Sequence, residues 1–291
     1  MEPAANLVKN IMEEFQRKLA GIYPQQEIRQ FAYILFESFL GWQKTRVHLS
    51  YDQEIPSKAM DAFNNALEKL RTGTPVQYIT GSTSFNGAII KVSPAVLIPR
   101  PETEELCLII KSDYPAPTPS GFSILEVGTG SGCIAIDLKS HFKNAAVDAI
   151  DISSAALELA QANALANKCN IVFREVSILD RVGWGSFGNY SLIVSNPPYV
   201  LESEKAQMHK NVLDFEPGQA LFVTDTDPLL FYTAIVDFAL LHLVRPARLY
   251  FEINERYGSE IYDLALAKGF DKAAIIKDFQ GKDRFISAWL F

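Results

Sequence analysis

Residues 124–132 read ILEVGTGSG, an apolar run that passes directly into a glycine-rich segment. This order is typical of a buried strand, a tight turn and the first turn of a helix. Glycine has no side chain, so the backbone can approach a ligand closely, and the helix N-terminus offers free N–H groups. The stretch therefore predicts a nucleotide-type ligand site on an α/β sheet.

Strand and helix patterns alternate from residue 120 to the end of the chain. We predict strands at 122–127, 145–150, 171–175, 190–195, 248–253, 273–278 and 285–290. Helices are predicted between them at 133–141, 155–166, 228–243 and 259–268. Such alternation is typical of a mostly parallel, doubly wound sheet. The short connection between the last two strands allows one of them to run antiparallel.

The first part of the chain has a different pattern. Apolar residues recur at helical spacing over residues 1–72, where nine basic and nine acidic residues balance. A charge-balanced helical bundle fits a protein-docking module better than a nucleic-acid clamp. Residues 73–99 contain an Asn-Gly pair before an alternating run, which predicts a β-hairpin that links the bundle to an α/β domain at 100–291.

Composition narrows the class of protein. The net charge of -7 over 291 residues argues against binding along a phosphate backbone. The cysteines Cys107, Cys133 and Cys169 are odd in number and widely spaced, so we expect free thiols, no disulfide framework and no metal site. The sequence has neither a signal-peptide pattern at its start nor an apolar stretch of about 18 residues, and we expect a cytoplasmic protein.

A second motif follows another predicted strand. Asn196, Pro197, Pro198 and Tyr199 come directly after the apolar run 192–194. An amide or aromatic amine nitrogen is a poor nucleophile, because its lone pair is delocalised. The Asn196 side chain and the Pro197 carbonyl could accept the N–H hydrogens, the prolines would fix the carbonyl directions, and Tyr199 offers a face for stacking. The motif predicts alkylation of a planar nitrogen.

The spacing of the glycines indicates which ligand the glycine-rich segment binds. A dinucleotide fingerprint would place its third small residue at Cys133, whereas here the third glycine is Gly132. This spacing resembles that of S-adenosylmethionine-dependent methyltransferases. Asp151, at the end of the second predicted strand, is placed to accept both ribose hydroxyls of an adenosyl group. We predict a donor site made of Gly128, Thr129, Gly130, Ser131, Gly132, Asp151 and Asn196.

Nearly the whole chain resembles the bacterial protein-(glutamine-N5) methyltransferases that modify peptide chain release factors. The similar segments are residues 73–81, 97–104, the glycine loop 128–132, residues 195–200, 214–217 and 220–221. The resemblance implies a seven-stranded, Rossmann-like class I methyltransferase domain. It also implies that the N-terminal bundle binds the release factor.

The same resemblance implies a specific reaction. S-adenosylmethionine would donate a methyl group to the side-chain amide of the glutamine in a Gly-Gly-Gln loop, leaving S-adenosylhomocysteine. Asn196 and Pro197 would hold the amide N–H groups and Tyr199 would pack on the amide plane, with Pro198 completing the catalytic and substrate-binding motif. The expected partners are bacterial class I release factors, with no membrane and no direct nucleic-acid contact, and we expect a monomer.

Some positions stay open at this stage. Glu126 stands where aspartate is common, and Cys133 replaces a plain aliphatic or small residue. The donor contact within 176–185 is not identified, with Ile178 and Leu179 as candidates. Arg100, Glu102 and Glu104 either line a cleft near the substrate or only begin a helix after Pro101.

Three other functions are compatible with parts of the pattern. The first is methylation of a glutamine in a ribosomal protein, which the catalytic motifs barely distinguish from methylation of a release factor. The second is N6-methylation of adenine in DNA or RNA, which would call for a basic, aromatic recognition region and base flipping. The third is an inactive binding protein that keeps the fold, against which the intact donor loop and the intact Asn-Pro-Pro-Tyr motif both speak.

Overall fold

The structure is a computed structural model that describes residues 6–114 and 117–291. The chain divides into two compact units. The first contains the chain up to Gly81 together with His209–Phe215, and the second contains Ser82–Met208 and Glu216–Phe291. The functional division predicted at residues 72 and 99 stays a prediction. Within the described ranges, no helix is both long enough and apolar enough to cross a bilayer.

The elements are numbered in chain order. The helices are α1 (Val8–Leu19), α2 (Gln25–Leu40), α3 (Lys44–Leu49), α4 (Ser57–Arg71), α5 (Val76–Thr80), α6 (Pro101–Asp113), α7 (Cys133–His141), α8 (Ser154–Ala166), α9 (Lys210–Phe215), α10 (Leu230–His242) and α11 (Gly258–Lys268). The strands are β1 (Ser82–Phe85), β2 (Ala88–Lys91), β3 (Ser123–Val127), β4 (Ala146–Asp151), β5 (Val172–Glu175), β6 (Tyr190–Ser195), β7 (Val200–Leu201), β8 (Phe222–Val223), β9 (Leu243–Glu252), β10 (Lys272–Lys277) and β11 (Asp283–Leu290).

The first unit is a helical bundle around an aromatic core. Helices α1, α2 and α4 each contribute one fully buried phenylalanine, namely Phe15, Phe36 and Phe63. The ring centroids of Phe36 and Phe63 are 4.7 Å apart, and Phe15 meets Phe63 edge-on at 6.4 Å. The helical spacing of apolar residues in the sequence therefore marks the faces that pack together.

The second unit is built on one seven-stranded sheet in the order β10-β11-β9-β6-β3-β4-β5. Neighbouring strands from β9 to β5 run parallel, and β11 runs antiparallel to both β9 and β10. The α/β class and the seven strands are confirmed. The inner strands β3 and β6 read as nearly continuous apolar runs, as expected of strands covered on both faces.

One strand boundary differs clearly from its prediction. Strand β9 begins at Leu243 rather than at residue 248, and α10 accordingly ends at His242. The additional segment contains Pro246, and its residues 244–246 are exposed. Proline cannot donate a hydrogen bond to a neighbouring strand, so a proline in the sequence argued against a strand there.

The strand order reverses at β3, which has β4 on one side and β6 on the other. Val127 at the end of β3 is in register with Ile150 on β4 and with Ser195 on β6. The segments that follow these three strands therefore leave the sheet at one edge. In open α/β sheets this is the place where ligands bind.

A buried asparagine connects the predicted hairpin to the rest of the second unit. Strands β1 and β2 pair around a turn in which Asn86 and Gly87 have φ of 46° and 85°. Asn163 on α8 is fully buried; its Oδ1 accepts from the Lys91 N–H (2.8 Å), and its Nδ2 donates to the carbonyls of Lys91 (3.0 Å) and Ser131 (2.9 Å). One side chain thus fixes both β2 and the glycine loop to α8.

Replacing Asn163 by alanine should lower the free energy of unfolding by about 2–4 kcal/mol, because three backbone groups, one buried and two partly buried, lose their partner. The matched control is Asn167→Ala, four residues further on and directly after the end of α8. Asn167 is partly exposed and donates to the Ile89 carbonyl at 3.1 Å, so its removal should cost about 1 kcal/mol or less. Denaturant titrations measure both, and equal losses would contradict the anchoring role of Asn163.

Candidate active site

A cavity of about 260 Å³ lies in the second unit at the edge where the strand order reverses. It brings together most of the residues predicted from the sequence. Its lining includes Gly128, Thr129, Gly130 and Ser131 of the glycine loop, Asp151, and Asn196, Pro197 and Pro198 of the second motif. Among the predicted site residues that the structure describes, Gly132 and Tyr199 do not line this cavity.

The glycine loop adopts a backbone that favours glycine at three positions. Gly128, Gly130 and Gly132 have φ of 75°, 52° and 82°. A Cβ added at Gly128 or Gly130 would meet nothing within 4 Å, whereas one at Gly132 would lie 3.1 Å from the Cβ of Ala160. Gly132 therefore allows α7 and α8 to pack closely, and the other two glycines leave open space in which a ligand can approach the backbone.

Asp151 stands at the end of β4, beside this loop. Its Oδ2 accepts from the Gly130 N–H at 2.8 Å and its Oδ1 from the Ser153 N–H at 2.9 Å. Each carboxylate oxygen has a second lone pair, so the group can still accept hydrogen bonds from a ligand. The structure thus places an anchored carboxylate in the cavity wall, as the sequence predicts.

Glu126 stabilises the glycine loop through hydrogen bonds. This buried side chain uses Oε2 to accept from the Thr129 hydroxyl (2.6 Å) and from the Ala135 N–H (2.9 Å). Burial raises the pKa of Glu126 to about 8, and the two hydrogen bonds act in the opposite direction. The glutamate noted in place of aspartate therefore holds the glycine loop against the first turn of α7.

The second motif continues from β6. The hydroxyl of Ser195 donates to the carbonyl of Val127 at 2.7 Å and so joins the ends of β6 and β3. Asn196 follows, and its Nδ2 donates to the Thr103 hydroxyl oxygen at 3.2 Å. Pro197 is buried and Pro198 is partly exposed. Because the prolines fix their φ angles, this segment is held rigidly beside the glycine loop.

Tyr199 faces a different neighbour. Its hydroxyl donates to Glu252 Oε1 at 3.0 Å, and its ring packs against the core beneath the sheet edge. Burial, followed by the charge of Glu252, raises the pKa of Tyr199 well above its ordinary value. The predicted stacking of Tyr199 on a planar substrate stays a prediction.

Two buried polar residues of the site were missed by sequence reasoning. Thr103 on α6 and Glu252 at the end of β9 are 3% and 1% exposed, and the Thr103 hydroxyl donates to Glu252 Oε2 at 2.7 Å. The available signal for Glu252 was an acidic residue within the apolar run of a predicted inner strand. Thr103 lies among Arg100, Glu102 and Glu104, and only these charged neighbours were considered as site residues from the sequence.

The charged residues Arg100, Glu102 and Glu104 have different roles in the structure. Arg100 lines the cavity and pairs with buried Glu216 (Nη2 to Oε1, 2.5 Å), whose Oε2 accepts from the Ile98 N–H. Glu104 instead accepts from the Asn86 N–H at 2.8 Å and so caps the hairpin turn. Glu102 lies in the first turn of α6, where its charge suits the helix dipole.

Four consecutive residues of the segment 176–185 border the cavity. These are Val176, Ser177, Ile178 and Leu179, which include both candidates named from the sequence. Which of them contacts a donor stays a prediction. Among the residues described, no group of three or more His, Cys, Asp or Glu side chains is arranged to hold a metal ion.

Comparison with known protein families gives two matches. Residues 10–81 match the PrmC N-terminal domain, and residues 115–216 match the Methyltransferase small domain. The two matches correspond to the helical part of the chain and to the part that carries both the glycine loop and the Asn-Pro-Pro-Tyr motif.

Relatives of known name match along nearly the full length. The release factor glutamine methyltransferase of Flavobacterium psychrophilum is 42% identical over 281 residues, which cover 96% of this chain and 98% of the relative. The corresponding protein of Bacteroides thetaiotaomicron is 38% identical over 283 residues, covering 97% and 99%. Among solved structures, a methyltransferase from Pyrococcus furiosus shares the fold, with a TM-score of 0.51, 19% identity, and coverage of 80% of this chain and 96% of that one.

The buried carboxyl of Glu126 predicts a pH-dependent stability. Between pH 5 and 8 the folded state keeps a proton that the unfolded state has lost, so the free energy of unfolding falls by up to about 1.4 kcal/mol per pH unit. Glu126→Gln can still accept both hydrogen bonds through its carbonyl oxygen and does not titrate. Denaturant titrations from pH 5 to 8 should show the variant gaining stability relative to the parent protein as pH rises. Parallel pH profiles would contradict the raised pKa.

Proposed function

This chain belongs to the release factor glutamine methyltransferase family, and we propose that it methylates the side-chain amide nitrogen of the glutamine in the Gly-Gly-Gln motif of bacterial class I peptide chain release factors. The methyl donor in this proposal is S-adenosylmethionine. The observation that carries the proposal is a single cavity in which an open glycine loop, an anchored aspartate and the Asn-Pro-Pro segment meet. The relatives that match 96–97% of the chain support the choice of substrate.

The residues of the cavity fit this donor. S-adenosylmethionine, when bound, supplies a methyl group on a positively charged sulfur and leaves as S-adenosylhomocysteine. The backbone at Gly128 and Gly130 has room for close approach. The carboxylate of Asp151 can accept from two adjacent ribose hydroxyls, since both of its oxygens keep a free lone pair.

The substrate side of the cavity offers hydrogen-bond acceptors. Asn196 donates through Nδ2 to Thr103, which leaves its Oδ1 to accept an N–H of the substrate amide. The carbonyl of Pro197 is the second acceptor in this proposal. Holding both N–H groups localises the nitrogen lone pair and directs it, so the rate enhancement comes from positioning and electrostatic alignment.

The helical first unit is proposed to bind the release factor itself. Its match to the PrmC N-terminal domain over residues 10–81 supports this role. The balance of nine acidic and nine basic residues in the first 72 positions also favours a protein partner over nucleic acid. Because release factors act on the ribosome, the proposal places the enzyme in the cytoplasm.

The assay for substrate identity uses purified protein, labelled S-adenosylmethionine and a bacterial class I release factor. We expect label in the release factor and none when the glutamine of its Gly-Gly-Gln motif is replaced by alanine. Ribosomal proteins and DNA are offered separately as competing substrates. Labelling of either one, with none in the release factor, would refute the proposed substrate.

Two substitutions separate the chemistry from donor binding. Asn196→Ala removes an oriented acceptor and should lower kcat by about 100- to 1,000-fold while S-adenosylmethionine still binds. Asp151→Ala should weaken donor binding by about 10- to 100-fold, the range for hydrogen bonds to a charged group. Calorimetry and single-turnover kinetics measure both effects.

The matched control for these variants is Asp148→Ala, three residues before Asp151 on β4. Asp148 accepts from Tyr190 and Arg174, and within the described chain it is not part of the cavity lining. It should bind the donor like the parent protein. Undiminished turnover in Asn196→Ala would remove Asn196 from the mechanism.

A further inference from the structure

We propose that Thr103 and Glu252 are positioning residues that fix the orientation of the Asn196 side-chain amide, with its oxygen toward the cavity. The catalytic consequence of this orientation rests on the proposed function. The orientation itself follows from hydrogen-bond geometry and can be tested without turnover.

Three side chains from separate elements form a continuous chain of hydrogen bonds, called here the amide relay. Asn196 Nδ2 donates to Thr103 Oγ1 at 3.2 Å, and Thr103 Oγ1 donates to Glu252 Oε2 at 2.7 Å. Thr103 lies on α6, Glu252 ends β9 and Asn196 follows β6. Thr103 and Glu252 are both almost completely buried. No water is needed to connect them, because every distance lies within the range of a direct hydrogen bond.

The number of protons in the relay determines the direction of each bond. A threonine hydroxyl has one hydrogen to donate, and in the structure it is directed to Glu252 Oε2. Thr103 therefore gives its hydrogen to Glu252 and can only accept from Asn196. The group of Asn196 that faces Thr103 must then be the NH₂. The opposite orientation would place the Asn196 carbonyl oxygen against the Thr103 oxygen with no hydrogen between them.

Tyr199 completes the relay at its far end. Its hydroxyl donates to Glu252 Oε1 at 3.0 Å, so each carboxylate oxygen receives an O–H hydrogen. Burial raises the pKa of Glu252, with the charge of Glu102 acting in the same direction, and the bonds from Thr103 and Tyr199 and the charge of Arg284 oppose this increase. The fourth residue of the Asn-Pro-Pro-Tyr motif thus acts on the first one through Glu252 and Thr103.

The decisive comparison is between Thr103→Val and Thr103→Ser. Valine keeps the shape of threonine but has no hydroxyl, so the Asn196 amide loses its orienting partner. We expect kcat to fall by about 10- to 100-fold, in keeping with the sensitivity of catalysis to small misplacements. The KM for the release factor and the Kd for S-adenosylmethionine should stay within about 2-fold, since uniform binding is untouched. Serine restores the hydroxyl and should restore kcat to within about 3-fold.

Two further variants serve as a control and a fallback for this comparison. Ser287→Ala removes a different fully buried hydroxyl, on β11, that has no hydrogen-bond partner among the described residues. It should keep the kcat of the parent protein. Thr103→Ala removes the hydroxyl without leaving a methyl group beside Asn196, and it carries the same test if the valine variant does not fold.

Nuclear magnetic resonance provides the readout that is independent of activity. In protein labelled with ¹⁵N-asparagine, the Asn196 side-chain NH₂ signal is identified by its loss in Asn196→Asp. We expect slow hydrogen exchange of this NH₂ in the parent protein and in Thr103→Ser. In Thr103→Val the signal should shift and its exchange should accelerate, and Ser287→Ala should leave it unchanged.

The outcomes distinguish the relay from the proposed function. If the parent protein does not methylate a release factor but the NH₂ signal responds to Thr103→Val as described, the proposed function fails and the relay stands. If the parent protein is active and Thr103→Val matches it in kcat, or changes only KM, the relay is wrong. An unchanged NH₂ signal in Thr103→Val would also overturn it.

Discussion

The site depends on the parallel register of three strand ends. Val127 aligns with Ile150 on one side and with Ser195 on the other, and the Ser195 hydroxyl binds the Val127 carbonyl. After each of these three strands the chain leaves the sheet at this edge, since parallel strands cannot be joined by tight turns. The glycine loop, Asp151 and Asn196 are therefore brought together by backbone pairing, before any side chain of the cavity contributes. A shift of register in β6 would move Asn196 away from the glycine loop.

Buried polar side chains then fix what the register has brought together. Glu126, Asn163, Thr103 and Glu252 are each almost fully buried, and each makes at least two hydrogen bonds. A buried polar group without partners would destabilise the fold, so these side chains are tolerated only in the geometry that satisfies them. The glycine loop and the Asn-Pro-Pro segment are irregular backbone, and these contacts give them the rigidity that strands and helices have from their own hydrogen bonds.

Sequence periodicity predicted the features that depend on local pattern. Strand β6 and helix α7 begin and end at the predicted residues, and the three glycines lie in the turn predicted between β3 and α7. The relay could not be predicted in the same way. Thr103 and Asn196 are 93 residues apart, and Thr103 and Glu252 are 149 apart. Contacts at such separations follow from how α6 packs on the sheet. No sequence pattern around the threonine or the glutamate indicates which residue it will contact.

The cavity has two walls of opposite hydrogen-bonding character. The glycine loop leads into the N-terminus of α7, where backbone N–H groups act as donors. The Asn-Pro-Pro segment lacks backbone N–H groups at Pro197 and Pro198, so its backbone there offers carbonyls alone. The relay turns the Asn196 side chain in the same sense, with its NH₂ held by Thr103 and its oxygen left for a ligand. A primary amide presents two N–H hydrogens that these acceptors can bind, whereas a carboxylate has no hydrogen to offer them. In the proposed reaction, discrimination between glutamine and glutamate would therefore depend on the orientation of the Asn196 amide, which bonds to Thr103 and, through it, to buried Glu252.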